Sequence, residues 1–157
     1  MEKILVAIDP VRTSFCAGIH ALYLAKRIKA TVSFLLVFSK STKEIYPSLA
    51  EEIEVSVKKK LGSLIEEARF DGIQVDYYLA YGKYESEVVS FIQENKITLL
   101  VVESPTDQGA LSKSCKHFLD KIRHRINCRI EVVHEKRGIS DRKEGNRVAP
   151  IPTDSGK

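Results

Sequence analysis

The stretch LLVVESPTDQGALSKSCKHF, residues 99–118, has the layout of an anion site. An apolar run feeds a polar loop, and the loop feeds a helix-like segment. Backbone N–H groups at such a junction, with the partial positive charge of a helix N-terminus, suit a phosphate. Ser112 and Ser114 can donate hydroxyl hydrogen bonds there, and Lys113 and Lys116 can add charge. Glycine matters at such a place because it lets main chain approach phosphate oxygens and reach positive φ without a Cβ clash. This stretch has a single glycine, Gly109, and an acid, Glu103, stands where the apolar run ends. A second acid, Asp9, follows another apolar run, KILVAI.

Other reactive side chains are scattered. His117 and His124 are seven apart and can share a helix face, but no third ligand stands at a metal-type spacing. They, with His20 and His134, read as surface or packing residues, and no metal is expected. Cys115 and Cys128 have basic sequence neighbours, Lys116 and Arg129, which would stabilise a thiolate if they pointed at it. A structural role is the expectation for both. No order of Ser, His, Asp or Cys fixes a catalytic triad, and no catalytic residue is assigned. Lys113, Lys116, Lys121, Arg123, Arg125 and Arg129 make the segment 112–129 basic. It reads as a solvated face or a docking ridge for an acidic protein. Nucleic acid is not expected, because no aromatic platform accompanies the charge.

The 157 residues, 43% hydrophobic and 29% charged with a formal charge of +4, describe about one folded domain. Cys16, Cys115 and Cys128 form an odd, dispersed set without a CxxC, which speaks against a disulfide scaffold. The N-terminal apolar core is too short for a signal peptide, and no run approaches the roughly 18–20 apolar residues that cross a bilayer. A cytoplasmic location without membrane contact is expected.

The elements that would position these residues follow from periodicity. Residues 3–8, 31–38 and 97–102 are nearly unbroken apolar runs, the pattern of strands buried on both faces. Residues 74–81 are a fourth strand. Residues 129–134 are a fifth, with Ile130 and Val132 on one face and Glu131 and Val133 on the other, as suits a sheet edge. Between them lie helical stripes. Phe15, Ile19, Leu22, Ala25 and Ile28 mark 13–29, capped by Thr13 or Ser14. Leu49, Ile53, Val57, Leu61, Leu64, Ile65 and Ala68 mark 47–70, with Pro47 in the first turn. Val88, Val89 and Ile92 mark 84–95, and Phe118, Leu119 and Ile122 mark 112–126, capped by Ser112 or Ser114.

Strictly alternating strands and helices predict an α/β fold: an open five-stranded parallel sheet, Rossmann-like, with helices on both faces. A ligand crevice then lies beyond the carboxyl ends of the first and fourth strands. The domain is expected to span 1–135. Residues 136–157 lack periodicity and read as a flexible charged tail, either solvated or an adhesive arm for an acidic partner, and from Glu135 onward six basic residues face four acids.

ILVAIDPVRTS, the following A..LAK...A.V stretch, YGKYESEVVSFI, LLVVES and CRIEVV, in this order over about residues 2–134, resemble the universal stress protein family. The resemblance implies an adenine-nucleotide alpha hydrolase-like sheet, a role in stress resistance or signalling, and a homodimer paired through the last strands. Ile130, Val132 and Val133 would then form the dimer edge. The nucleotide-binding branch of the family carries Gly-x2-Gly-x9-Gly-[Ser/Thr] after the fourth strand. On this chain those positions fall on Glu103, Thr106, Lys116 and His117, and none matches. At about 4 Å and an effective dielectric of about 20, a carboxylate–phosphate pair costs up to about 4 kcal/mol, against roughly 0.3–2 kcal/mol gained from a helix terminus.

The expected protein is therefore a non-enzymatic universal stress-type protein acting through protein contacts, with a degenerate crevice and no ATP cofactor. Asp9, which the resemblance puts near the adenosine end, and Gly109, Ser112 and Ser114 would line the remnant. An adenine-nucleotide sensor (AMP or ATP) or a weak nucleotide hydrolase is the alternative.

Overall fold

The computed structural model describes residues 1–11, 13–104 and 112–134. Gly109 and the tail 136–157 lie outside the described residues. The chain order is β1 (Lys3–Ile8), α1 (Cys16–Ile28), β2 (Thr31–Phe38), α2 (Lys40–Ile45), α3 (Pro47–Phe70), β3 (Val75–Tyr81), α4 (Tyr84–Asn95), β4 (Leu99–Ser104), α5 (Lys113–Ile122) and β5 (Arg129–His134). The five strands form one sheet in the order β3-β2-β1-β4-β5, and every adjacent pair is parallel.

Successive side chains of a strand point to opposite faces, so a strand covered on both sides must be apolar throughout. Ile4, Val6 and Ile8 of β1 enter one core with buried residues of α1 and α3. Leu5 and Ala7 enter the other with those of α4 and α5. β5 is an edge strand, mostly half-buried. Its Ile130 and Val132 pack on the α4–α5 side and Val133 on the α1–α3 side.

Two helices depart from the periodicity reading. The buried residues of α1 are Ala17, Gly18, Ala21 and Ala25, whereas Ile19 and Ile28 are exposed. The reason is close packing. A Cβ on Gly18 would lie 2.8 Å from Cε1 of Phe34, which is fully buried in β2. The helix therefore turns its small residues, not its large ones, to the sheet. In α3 Val57, Leu61, Ile65 and Ala68 are buried, Leu64 is half-buried, and Leu49 is exposed. α2 has no buried residue, so hydrophobic periodicity could not mark it.

Helix starts matter for the site. Ser112 caps α5 by accepting from Cys115 N at 3.1 Å, and α5 ends at Ile122 instead of running to 126. Neither Thr13 nor Ser14 takes the N-cap position of α1, although Ser14 Oγ accepts from Cys16 N, the first amide of the helix, at 3.4 Å. Phe15 takes the N-cap position in the left-handed region, φ 66°, with its side chain buried. A bulky residue there is strained and must be held by its surroundings.

Candidate functional site

The carboxyl ends of β1 and β4 lie side by side at the point where the strand order reverses. The polar residues there come from the β1–α1 loop, the end of β4 and the start of α5. Glu103 binds across this gap. Its Oε1 accepts from the Thr13 hydroxyl at 3.0 Å, and its Oε2 accepts from Ser14 N at 2.9 Å and Ser14 Oγ at 3.0 Å. Thr13 Oγ1 in turn accepts from Phe15 N at 3.0 Å. The carboxylate thus sits on the donors just ahead of α1, and Thr13 Oγ1 links it to the strained Phe15 turn.

Below Glu103 is a cavity of about 130 Å³ lined by Asp9, Thr13, Tyr84, Glu103, Ser114 and Cys115, among others. Sites for drug-sized ligands usually run from about 300 to 1,000 Å³. This one falls below that range. The Tyr84 hydroxyl donates to the Ala7 carbonyl at 3.0 Å, and its ring packs on Phe118 at 4.8 Å between centroids. Burial above all, with the nearby carboxylates of Asp9 and Glu103, pushes the Tyr84 phenol far above its usual range. It remains a neutral donor.

The other predicted site residues fall around this gap. Asp9 Oδ1 accepts from Val11 N at 3.1 Å, a local loop bond. The Ser112 amide donates to the Oγ of buried Ser104 at 3.1 Å, and the Ser112 and Ser114 hydroxyls are 3.4 Å apart. Cys115 is buried and desolvation pushes its thiol up, so Lys116, which is exposed, does not make it a thiolate. Cys128 is pushed up for the same reason. No group of three metal-ligating side chains occurs among the described residues. His117 and His124 are exposed, and His20 pairs with Glu131 of β5.

The basic segment keeps an open face. Lys113, Lys116, Arg123 and Arg125 are exposed. Lys121 and Arg129, by contrast, are matched with Glu85 at 3.4 Å and Glu2 at 2.8 Å.

Sequence reasoning missed a second opening. A groove of about 900 Å³ runs beyond the ends of β1, β2 and β3, under α2 and the start of α3. It shares Asp9 and Tyr84 with the small cavity, and its lining includes Phe38, Lys43, Glu54 and Tyr81. Phe38 and Tyr81 are aligned partners in the β2–β3 register. Only the strand order could have revealed that juxtaposition.

Residues 1–134 match the profile of the Universal stress protein family. The chain belongs to the universal stress protein family. Solved structures agree with the fold. The universal stress protein UspA from Lactobacillus plantarum is 15% identical, with a TM-score of 0.67 over 84% of this chain and 97% of that one. A universal stress protein in complex with cAMP is 15% identical, TM-score 0.59, over 85% and 96%. A universal stress protein family protein from Arabidopsis thaliana with AMP bound is 10% identical, TM-score 0.58, over 89% and 94%. No curated protein sequence matches the chain. No helix among the described residues of this universal stress protein is long and apolar enough to cross a membrane.

Proposed function

We propose that this universal stress protein works without catalysis, through protein contacts in stress response or signalling, and that Glu103 closes its nucleotide crevice. The supporting observation is the set of three hydrogen bonds from Thr13 and Ser14 to the Glu103 carboxylate. A triphosphate would have to expel that carboxylate or accept its repulsion, and the cavity that Glu103 lines is about 130 Å³. The contacts would use the exposed cations of α5 against an acidic partner. The free edge of β5, at Ile130, Val132 and Val133, would pair two copies into a cytoplasmic homodimer.

Calorimetry of the whole chain with Mg·ATP, ADP and AMP is the test. No binding heat is expected from ATP or ADP, with a dimer in sedimentation equilibrium. Saturable ATP binding, with phosphates seated on Thr13 and Ser14, overturns the reading. A second reading, an AMP-type sensor, is favoured by the AMP- and cAMP-bound relatives and by the 900 Å³ groove. Heat from AMP alone would select it.

A further inference from the structure

The groove beyond β2 and β3 has a chemistry of its own. The Phe38 and Tyr81 rings stack with centroids 5.6 Å apart and planes at 29°. The Lys43 ammonium lies 4.2 Å from the centroid of Tyr81. At the edge of the same ring, the Tyr81 hydroxyl donates to Glu54 Oε1 at 2.8 Å. Lys58 donates to the other oxygen of Glu54, also at 2.8 Å. The chain's own ammonium therefore occupies an aromatic face with a carboxylate beside it, the pairing by which proteins recognise alkylammonium groups.

We propose that this groove binds an organic ammonium ion, which takes the place of Lys43 over Tyr81. Three features favour the exchange. Lys43 is carried on α2, which buries no residue, so its side chain can leave without opening the core. With Lys43 turned away, the lining keeps Asp9, Glu51, Glu54 and Glu85 against Lys83 and Lys121. Lys121 is already matched with Glu85 and Glu54 with Lys58, which leaves Asp9 and Glu51 against Lys83. The volume of about 900 Å³ admits a ligand with several carbons. Glu103 does not line this groove, so the proposal does not depend on the closed crevice, although Asp9 and Tyr84 line both and the AMP reading uses the same groove.

The test titrates the whole chain with choline and with 3,3-dimethylbutan-1-ol, which has the same shape with carbon in place of the charged nitrogen. Affinity is read by calorimetry, and the contact is read from the Tyr81 ring and Lys43 side-chain resonances. Choline is expected to shift both sets of resonances, and the neutral alcohol neither. Lys43→Ala removes an internal competitor worth an exposed cation–π contact, so choline should bind about two- to fivefold tighter. Tyr81→Phe keeps the ring and should retain binding, whereas Tyr81→Leu should lose it. Equal response to the two ligands, no response to choline, or weaker binding by Lys43→Ala overturns the proposal. Binding of AMP at these resonances without choline binding overturns it as well.

Discussion

Replacing Glu103 with alanine removes one carboxylate and three hydrogen bonds, two to hydroxyls and one to the Ser14 amide. Taken at full strength, three bonds to a charged acceptor would sum to roughly 5–9 kcal/mol. That figure is far too large here, because Ser14 is exposed and water replaces its partner. Thr13, half-buried, is less easily rehydrated. Relaxation of the left-handed Phe15 turn also returns part of its strain, about 1–3 kcal/mol in total. A net loss of about 2 kcal/mol remains. In urea the midpoint should fall by about 1 M with the slope unchanged. A thermal scan should show a drop of about 5–10 °C. Glu103→Gln, which keeps one carbonyl acceptor, should fall between. A double-mutant cycle with Ser14→Ala should give a coupling of about 0.5 kcal/mol or more. If Glu103→Ala lies within about 0.5 kcal/mol of the native chain, Glu103 is an ordinary surface acid, and the closed-crevice argument fails with it.

Two glycine replacements should move stability in opposite directions. Gly18→Ala drives a Cβ against the buried Phe34 ring at 2.8 Å, and overpacking of about 1–3 kcal/mol should outweigh the helix gain, for a net loss of about 1 kcal/mol. Gly62→Ala, in α3 with nothing within 4 Å, should gain up to about 1 kcal/mol, both read from urea melts. The Lys58 and Tyr81 hydrogen bonds hold the Glu54 carboxyl below its ordinary value of 4.5. A depressed carboxyl stabilises the fold above its unfolded pKa, and that stability is lost as pH falls through the folded one. Glu54→Gln should therefore cost less than about 1 kcal/mol at pH 7, and the difference should shrink as pH falls below 4.5 and vanish once it is below the lowered folded pKa. A constant gap across that range would show that Glu54 acts by packing.

The sheet was legible because its signal is local. A strand covered on both faces must be apolar at each successive position, and residues 3–8 and 31–38 announce this directly. The edge character of β5 was legible for the converse reason, since Glu131 interrupts its apolar residues. The face of α1 was not. Periodicity weighs large residues most, but Phe34 leaves no room for a Cβ at position 18, and α1 buries Ala17, Gly18 and Ala21 while Ile19 and Ile28 turn outward. α2 has no buried residue to leave a pattern. At the site, Glu103 could be seen as an acid in the wrong place. Its donors, Thr13 and Ser14, are 90 and 89 positions away, and no local spacing joins them.

That distance changes what Glu103 means. A carboxylate facing bare loop would act only by repulsion, which salt screens and which Lys113 and Lys116 could offset. A carboxylate seated on Ser14 N and two hydroxyls acts by occupancy as well. It satisfies the Thr13 and Ser14 donors, and it ties β4 to the start of α1. Salt weakens the first effect and leaves the second, because a hydrogen-bonded group still has to be displaced. Weak ATP binding that strengthened steeply with added salt would point to repulsion alone. Exclusion that persists at high salt is what an occupied site predicts.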